Sequence, residues 1–158
     1  MRFNQLDRIV TLEPKARIVA ERMLTGREDY LKDHFPQFPV MPGVLMLEAL
    51  FQAAAWLVYA TEEFRYPVVV LKEARNIRFA DFVEPGEVLT VTAEVQRWDW
   101  PLVTCKANAT VGESVAVSGR LVLERFCMQD RYRRRIDADN MVRHELQTLF
   151  KQLLEQRP

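Results

Sequence analysis

Residues 42–60 read Pro42-Gly43-Val44-Leu45-Met46-Leu47-Glu48-Ala49-Leu50-Phe51-Gln52-Ala53-Ala54-Ala55-Trp56-Leu57-Val58-Tyr59-Ala60, a run of strong helix formers that is apolar on nearly every side. A helix of that kind is either enclosed by the rest of a fold or set in lipid. Glu48 and Gln52 stand near its middle, and an acidic side chain at the centre of a spanning helix costs about 2.5–3.5 kcal/mol. The reading is therefore a buried helix. Pro42 suits the first helical turn, where a missing N–H is no loss, and Pro67 lies beyond the expected end at Ala60 to Glu63. A helix without a solvent face needs a partner that surrounds it.

Downstream the apolar period changes from helical to two. Leu89, Val91, Ala93 and Val95 alternate with polar neighbours; Val103, Cys105, Ala107, Ala109 and Val111 do the same, and so do Val115, Val117, Leu121 and Leu123. Each is the pattern of a strand covered on one face. Glu84-Pro85-Gly86, Asp99-Trp100-Pro101 and Gly112-Glu113 supply turns before and between them, which predicts an antiparallel meander. Arg8–Leu12, Ala16–Met23, Val68–Leu71 and Asn76–Phe79 are shorter strand candidates. A sheet with one apolar face can wrap an all-round apolar helix and bury it. The expected architecture is an α+β hotdog over residues 1–126. Residues 127–158 form an extension, in which Asp137, Asp139 or Asn140 is expected to cap a helix carrying Val142, Leu146, Leu149 and Leu153 at helical spacing.

Composition narrows the function classes. Lys plus Arg and Asp plus Glu both total 22, so no net field draws the chain to nucleic acid or an anionic membrane. Cys105 and Cys127 are the only cysteines and lack metal-ligand spacing, so reduced thiols in a cytoplasmic protein are expected, with no metal site and no disulfide. The N-terminus has no apolar stretch of the secretory type.

The chemistry concentrates just before the helix, in Asp33-His34-Phe35-Pro36-Gln37-Phe38-Pro39-Val40-Met41-Pro42-Gly43. Three prolines restrict this loop and bias Phe35, Phe38 and Met41 toward extended backbone, so the loop loses less entropy on ordering. His34 is thus a held imidazole. Glu48, an acid within an apolar helix, must be paired or carry a raised pKa. Gln52 lies one turn on and can hydrogen-bond it. A loop imidazole, a helix N-terminus with a glycine and a buried acid together suit acid/base work, the alternatives being an exposed loop His and a structural Glu-Gln pair.

His34-Phe35-Pro36, Pro39-Val40-Met41-Pro42-Gly43-Val44-Leu45, Glu48-Ala49 and Gln52 together resemble the signature of 3-hydroxyacyl-acyl-carrier-protein dehydratases. The looser resemblance covers residues 7–126, with Gln37 standing where the family commonly has Gly. The resemblance implies that His34 removes the α-proton of a 3-hydroxyacyl thioester while Glu48 helps expel the 3-hydroxyl as water, without metal or organic cofactor. It also implies an acyl carrier protein as the substrate's bearer. A homodimer, or a trimer of dimers, would take His from one protomer and the acid from the other. The Gly43 N–H is expected to stabilise the developing enolate, and Phe35, Phe38, Phe51, Trp56 and Phe79 to wall an acyl tunnel. Two readings compete: a hotdog thioesterase that directs the acid toward water, and a silent acyl-binding partner subunit. The Arg131–Arg135 run, with Arg120 or Arg125, is a candidate docking patch for the carrier.

Overall fold

The computed structural model describes residues 3–132 and 136–156. Two strands, β1 (Arg8–Glu13) and β2 (Arg17–Met23), lead through a short helix α1 (Tyr30–Asp33) to the long helix α2 (Gly43–Thr61). Then come β3 (Val68–Phe79), β4 (Val88–Asp99), β5 (Leu102–Val111), β6 (Ser114–Phe126), the single-turn α3 (Met128–Arg131) and α4 (Ile136–Glu155). The strands form one six-stranded sheet in the order β1-β2-β4-β5-β6-β3. Every pairing is antiparallel. The sheet wraps α2, whose Leu50, Ala53, Ala54 and Leu57 are sealed from solvent beside Leu89, Val91, Ala107 and Leu121. Each buried Leu contributes about 2 kcal/mol of apolar burial. By length and composition α2 could cross a membrane; here it is the core helix of the sheet.

Three details depart from the sequence reading. Pro42 is the N-cap, with φ −56° and ψ 137°, and the helix proper begins at Gly43. Val68–Leu71 and Asn76–Phe79 belong to one strand, β3, whose register against β6 shifts twice, between Leu71 and Glu73 and between Arg75 and Arg78. Asn76 absorbs the second irregularity at φ +53°, a conformation Asn tolerates better than most residues. Val115 is exposed and Ala116 buried, because Thr110 pairs with Val115 and Ala109 with Val117. The extra residue reverses the facing of the strand's start.

The C-terminal segment also differs in detail. Asp139 lies inside α4 and does not cap it. Its buried carboxylate instead accepts from the N–H groups of Met128 (2.7 Å) and Gln129 (3.0 Å), at the start of α3. Leu153 is buried, Leu146 and Leu149 pack at the core's edge, and Phe150 stacks on Trp56 at 5.8 Å.

Arg125, expected in a docking patch, is only 3 % exposed. Its guanidinium lies 2.9 Å from Glu62 at the C-cap of α2, donates to the Leu102 carbonyl and stacks over Trp98 and Trp100. Arg131 is engaged too, by Glu124 and the Phe126 ring, while Arg133, Arg134 and Arg135 lie outside the described residues. Arg125→Ala is expected to cost about 3 kcal/mol, read as a lowered urea midpoint, because it strands Glu62 and empties an aromatic cage. A loss under about 0.5 kcal/mol would show that water replaces the pair.

Candidate active site

His34 caps the C-terminus of α1, its N–H donating to the Tyr30 carbonyl at 3.1 Å. The loop then turns. Phe38 N–H donates to the Phe35 carbonyl at 2.8 Å, which closes a β-turn with Pro36 in its favoured second position. Gln37 in the third position does not adopt a positive φ, so this turn makes no demand for glycine there. Phe35 itself takes φ +49° rather than the extended form expected before a proline. That left-handed backbone costs about 1–3 kcal/mol for a non-glycine residue. Met41 N–H donates to the Val83 carbonyl and pins the loop's far end.

His34 opens onto a recess of about 280 Å³ lined with Phe35, Met41, Gly43, Met46, Phe79 and Phe82, among others. Its rim is apolar and exposed: Phe35, Phe79 and Phe82 are 61 %, 51 % and 59 % exposed. Phe38 does not line the recess; it packs edge-on against Phe82 at 5.5 Å. Phe51 and Trp56 lie elsewhere, in a second recess, so the five expected wall aromatics do not form one tunnel within this chain. The space over Gly43 is occupied. A Cβ added there would meet the Phe79 ring at 3.1 Å, so the glycine makes room for a phenyl ring at the helix start. No described residue accepts from the Gly43 N–H, as befits the first turn of a helix.

Asp81 also lines the His34 recess and was not singled out in the sequence, where nothing distinguishes it from other turn acids. Ser114 Oγ donates to it at 2.8 Å, as does the Phe82 N–H. These two bonds, the hydroxyl's first, hold its carboxyl below the usual range.

Glu48 faces another way. At about 100° per residue it lies roughly 140° around α2 from Gly43 and roughly 200° from Met46, the two helix residues that line the His34 recess. It is half-buried, less enclosed than expected, and its Oε1 accepts from Gln52 Nε2 at 2.9 Å. Gln52 is fully occupied: it donates also to the Phe3 carbonyl (2.7 Å) and accepts from the Gln5 N–H (2.7 Å). The amide therefore fixes the carboxylate against the N-terminal segment. Within one chain His34 lines one recess, Glu48 does not line it, and the Gln52 that holds Glu48 lines the other.

Comparison with known proteins gives the family. The chain matches the FabA-like domain family over residues 1–124. It is 37 % identical to the 3-hydroxyacyl-acyl-carrier-protein dehydratase FabZ of Levilactobacillus brevis, across 73 % of this chain and 78 % of that protein. With FabZ of Ruminiclostridium cellulolyticum it shares 34 % identity over 75 % of this chain and 84 % of that one. The chain belongs to the 3-hydroxyacyl-acyl-carrier-protein dehydratase family. Among solved structures the dehydratase heterocomplex ApeI:P from Xenorhabdus doucetiae superimposes with a TM-score of 0.68 at 16 % identity, covering 83 % of this chain and 88 % of that one. Zebra fish thioesterase superfamily member 2 gives 0.58 at 15 % identity, covering 75 % of this chain and 79 % of that one. At such identities these two share the hotdog fold alone, which serves more than one thioester chemistry, so family membership rests on the sequence matches. In this dehydratase-family chain, α4 lies wholly beyond the matched residues.

Proposed function

We propose that the protein dehydrates 3-hydroxyacyl thioesters, carried by acyl carrier protein, to trans-2-enoyl thioesters in the cytoplasm, in fatty acid or related lipid biosynthesis. The observation that carries this reading is family membership over residues 1–124, joined to an imidazole at an apolar recess and an amide-held acid on the adjoining helix. His34 takes the α-proton, the C–H electrons become the C2–C3 double bond, the C3–O bond breaks, and Glu48 protonates the departing hydroxyl so that water leaves. Negative charge on the thioester oxygen meets the unpaired Gly43 N–H, favoured further by the helix dipole. Gln52 acts through Glu48 as a positioning residue. The catalytic unit is residues 1–126, with residues 127–158 as an extension.

The active unit is a homodimer with shared sites, and such dimers can assemble further as trimers. Two features support this: His34 and Glu48 diverge within one chain, and exposed Phe35, Phe38, Phe79 and Phe82 surround the His34 recess. An isologous pairing would cover those rings and bring a partner's acid to each imidazole.

A short 3-hydroxyacyl thioester should yield the ultraviolet absorbance of a conjugated enoyl thioester with no release of thiol. Thiol release without enoyl absorbance would establish the thioesterase alternative. Binding with neither would establish a silent partner subunit.

A further inference from the structure

We propose that the second apolar recess, bounded by α2, β3, the N-terminal segment and α4, receives the tail of the acyl chain and that α4 is its limiting wall. This rests on the dehydratase reading and deepens it. The recess has a volume of about 270 Å³ and is walled by Phe51, Ala55, Trp56 and Tyr59 of α2 and by Leu146 and Leu149 of α4. Its near end is Gln52, the hydrogen-bond partner of the acid. Glu48, Gln52, Ala55 and Tyr59 follow at spacings of four, three and four, so they form one stripe along the helix. Gln52 both lines the recess and holds Glu48 Oε1.

From Glu48 to Tyr59 the helix advances about 16 Å, the scale of a medium-length acyl chain and not of an acetyl stub. The wall has little to offer a polar ligand. The Gln52 amide is already committed to Glu48, Phe3 and Gln5, and burial holds the Tyr59 phenol above its usual range, so it stays neutral. An apolar surface of this kind gains most by covering methylene groups. Its outer wall is fixed in place: Phe150 of α4 stacks on Trp56 and meets Phe64 edge-on, and Arg143 of α4 donates to the Phe64 carbonyl at 2.8 Å. α4 lies outside the residues matched to the family, so the limit it sets on chain length is not carried by the matched residues.

Titration calorimetry of the full chain with butyl and dodecyl thioethers of pantetheine tests this, because neither ligand depends on turnover. Wild type should bind the dodecyl form more tightly. Ala55→Leu, which fills the recess midway, should weaken the dodecyl ligand about fourfold for each methylene displaced and leave the butyl ligand unchanged. Leu149→Ala widens the recess and should favour a hexadecyl ligand; it carries the test if Ala55→Leu melts early. Equal affinities for both ligands in wild type, or unchanged dodecyl affinity in folded Ala55→Leu, overturn the proposal. A shift confined to the dimerisation midpoint also overturns it and gives the recess to a second copy of the chain. Turnover separates the two levels. If the dehydratase reading fails, no chain length is dehydrated; if only the recess is misassigned, wild type and both variants dehydrate all lengths with one profile.

Discussion

Glu48→Gln is expected to lower turnover about a thousandfold, within the range that a positioned proton donor supplies, while stability changes by less than about 1 kcal/mol. The amide keeps an oxygen where Gln52 Nε2 now donates at 2.9 Å, so the network with Phe3 and Gln5 survives and only the transferable proton is lost. His34→Ala should be as damaging to turnover and as mild to the fold, because the side chain is half-exposed and its backbone bond to Tyr30 does not involve the ring. Steady-state rates by enoyl absorbance, with a thermal melt of each variant, decide the matter. Near-normal activity in folded Glu48→Gln would remove Glu48 from the chemistry. Loss of binding to a non-hydrolysable acyl thioether in His34→Ala would give the imidazole a structural role instead.

Mixing the two dead variants should restore activity. In a shared-site dimer the mixed species has one site with both lesions and one with neither. With random reassortment half the dimers are mixed and half their sites are intact, so recovery should reach about a quarter of wild type. Starting from two chains with negligible turnover, that is a rise of more than a hundredfold at the rate level expected for either. The physical premise is the divergence of His34 and Glu48 around α2: no rotamer change carries a carboxylate across the helix body to the His34 recess. Subunit exchange has to be followed in parallel, by mass spectrometry of tagged chains. Mixed dimers that form and stay inactive would place both groups in one chain's site, or remove one of them from the reaction.

The sequence alone determined the elements and the chemical vocabulary. Helix formers apolar all round at residues 43–61, period-two alternation in β4 and β5, and Pro/Gly turns act over a few residues, so they are legible without knowing what each segment meets. The His34–Gly43 loop and the Glu48–Gln52 pair were legible for the same reason, since both are fixed by spacing along one stretch of chain. What required tertiary structure were the encounters between distant segments. Val115 faces outward because a bulge opposite Thr110 shifts its register, and Asp139 caps α3 rather than its own helix because the chain folds back there. Arg125, charged and therefore read as surface, is buried because Glu62 and three aromatic residues converge on it from other elements. Gly43 is followed by nothing local that would name its neighbour, and it is Phe79 of β3 that packs where a side chain would stand. Of the five aromatics expected in one tunnel, Phe51 and Trp56 of α2 line one recess, Phe35 of the loop and Phe79 of β3 line the other, and Phe38 lines neither, because they come from separate elements; Trp56 also meets a helix that local periodicity could place nowhere in particular. Local propensity is written in neighbouring residues; which faces meet is settled only by the cooperative burial of the whole chain.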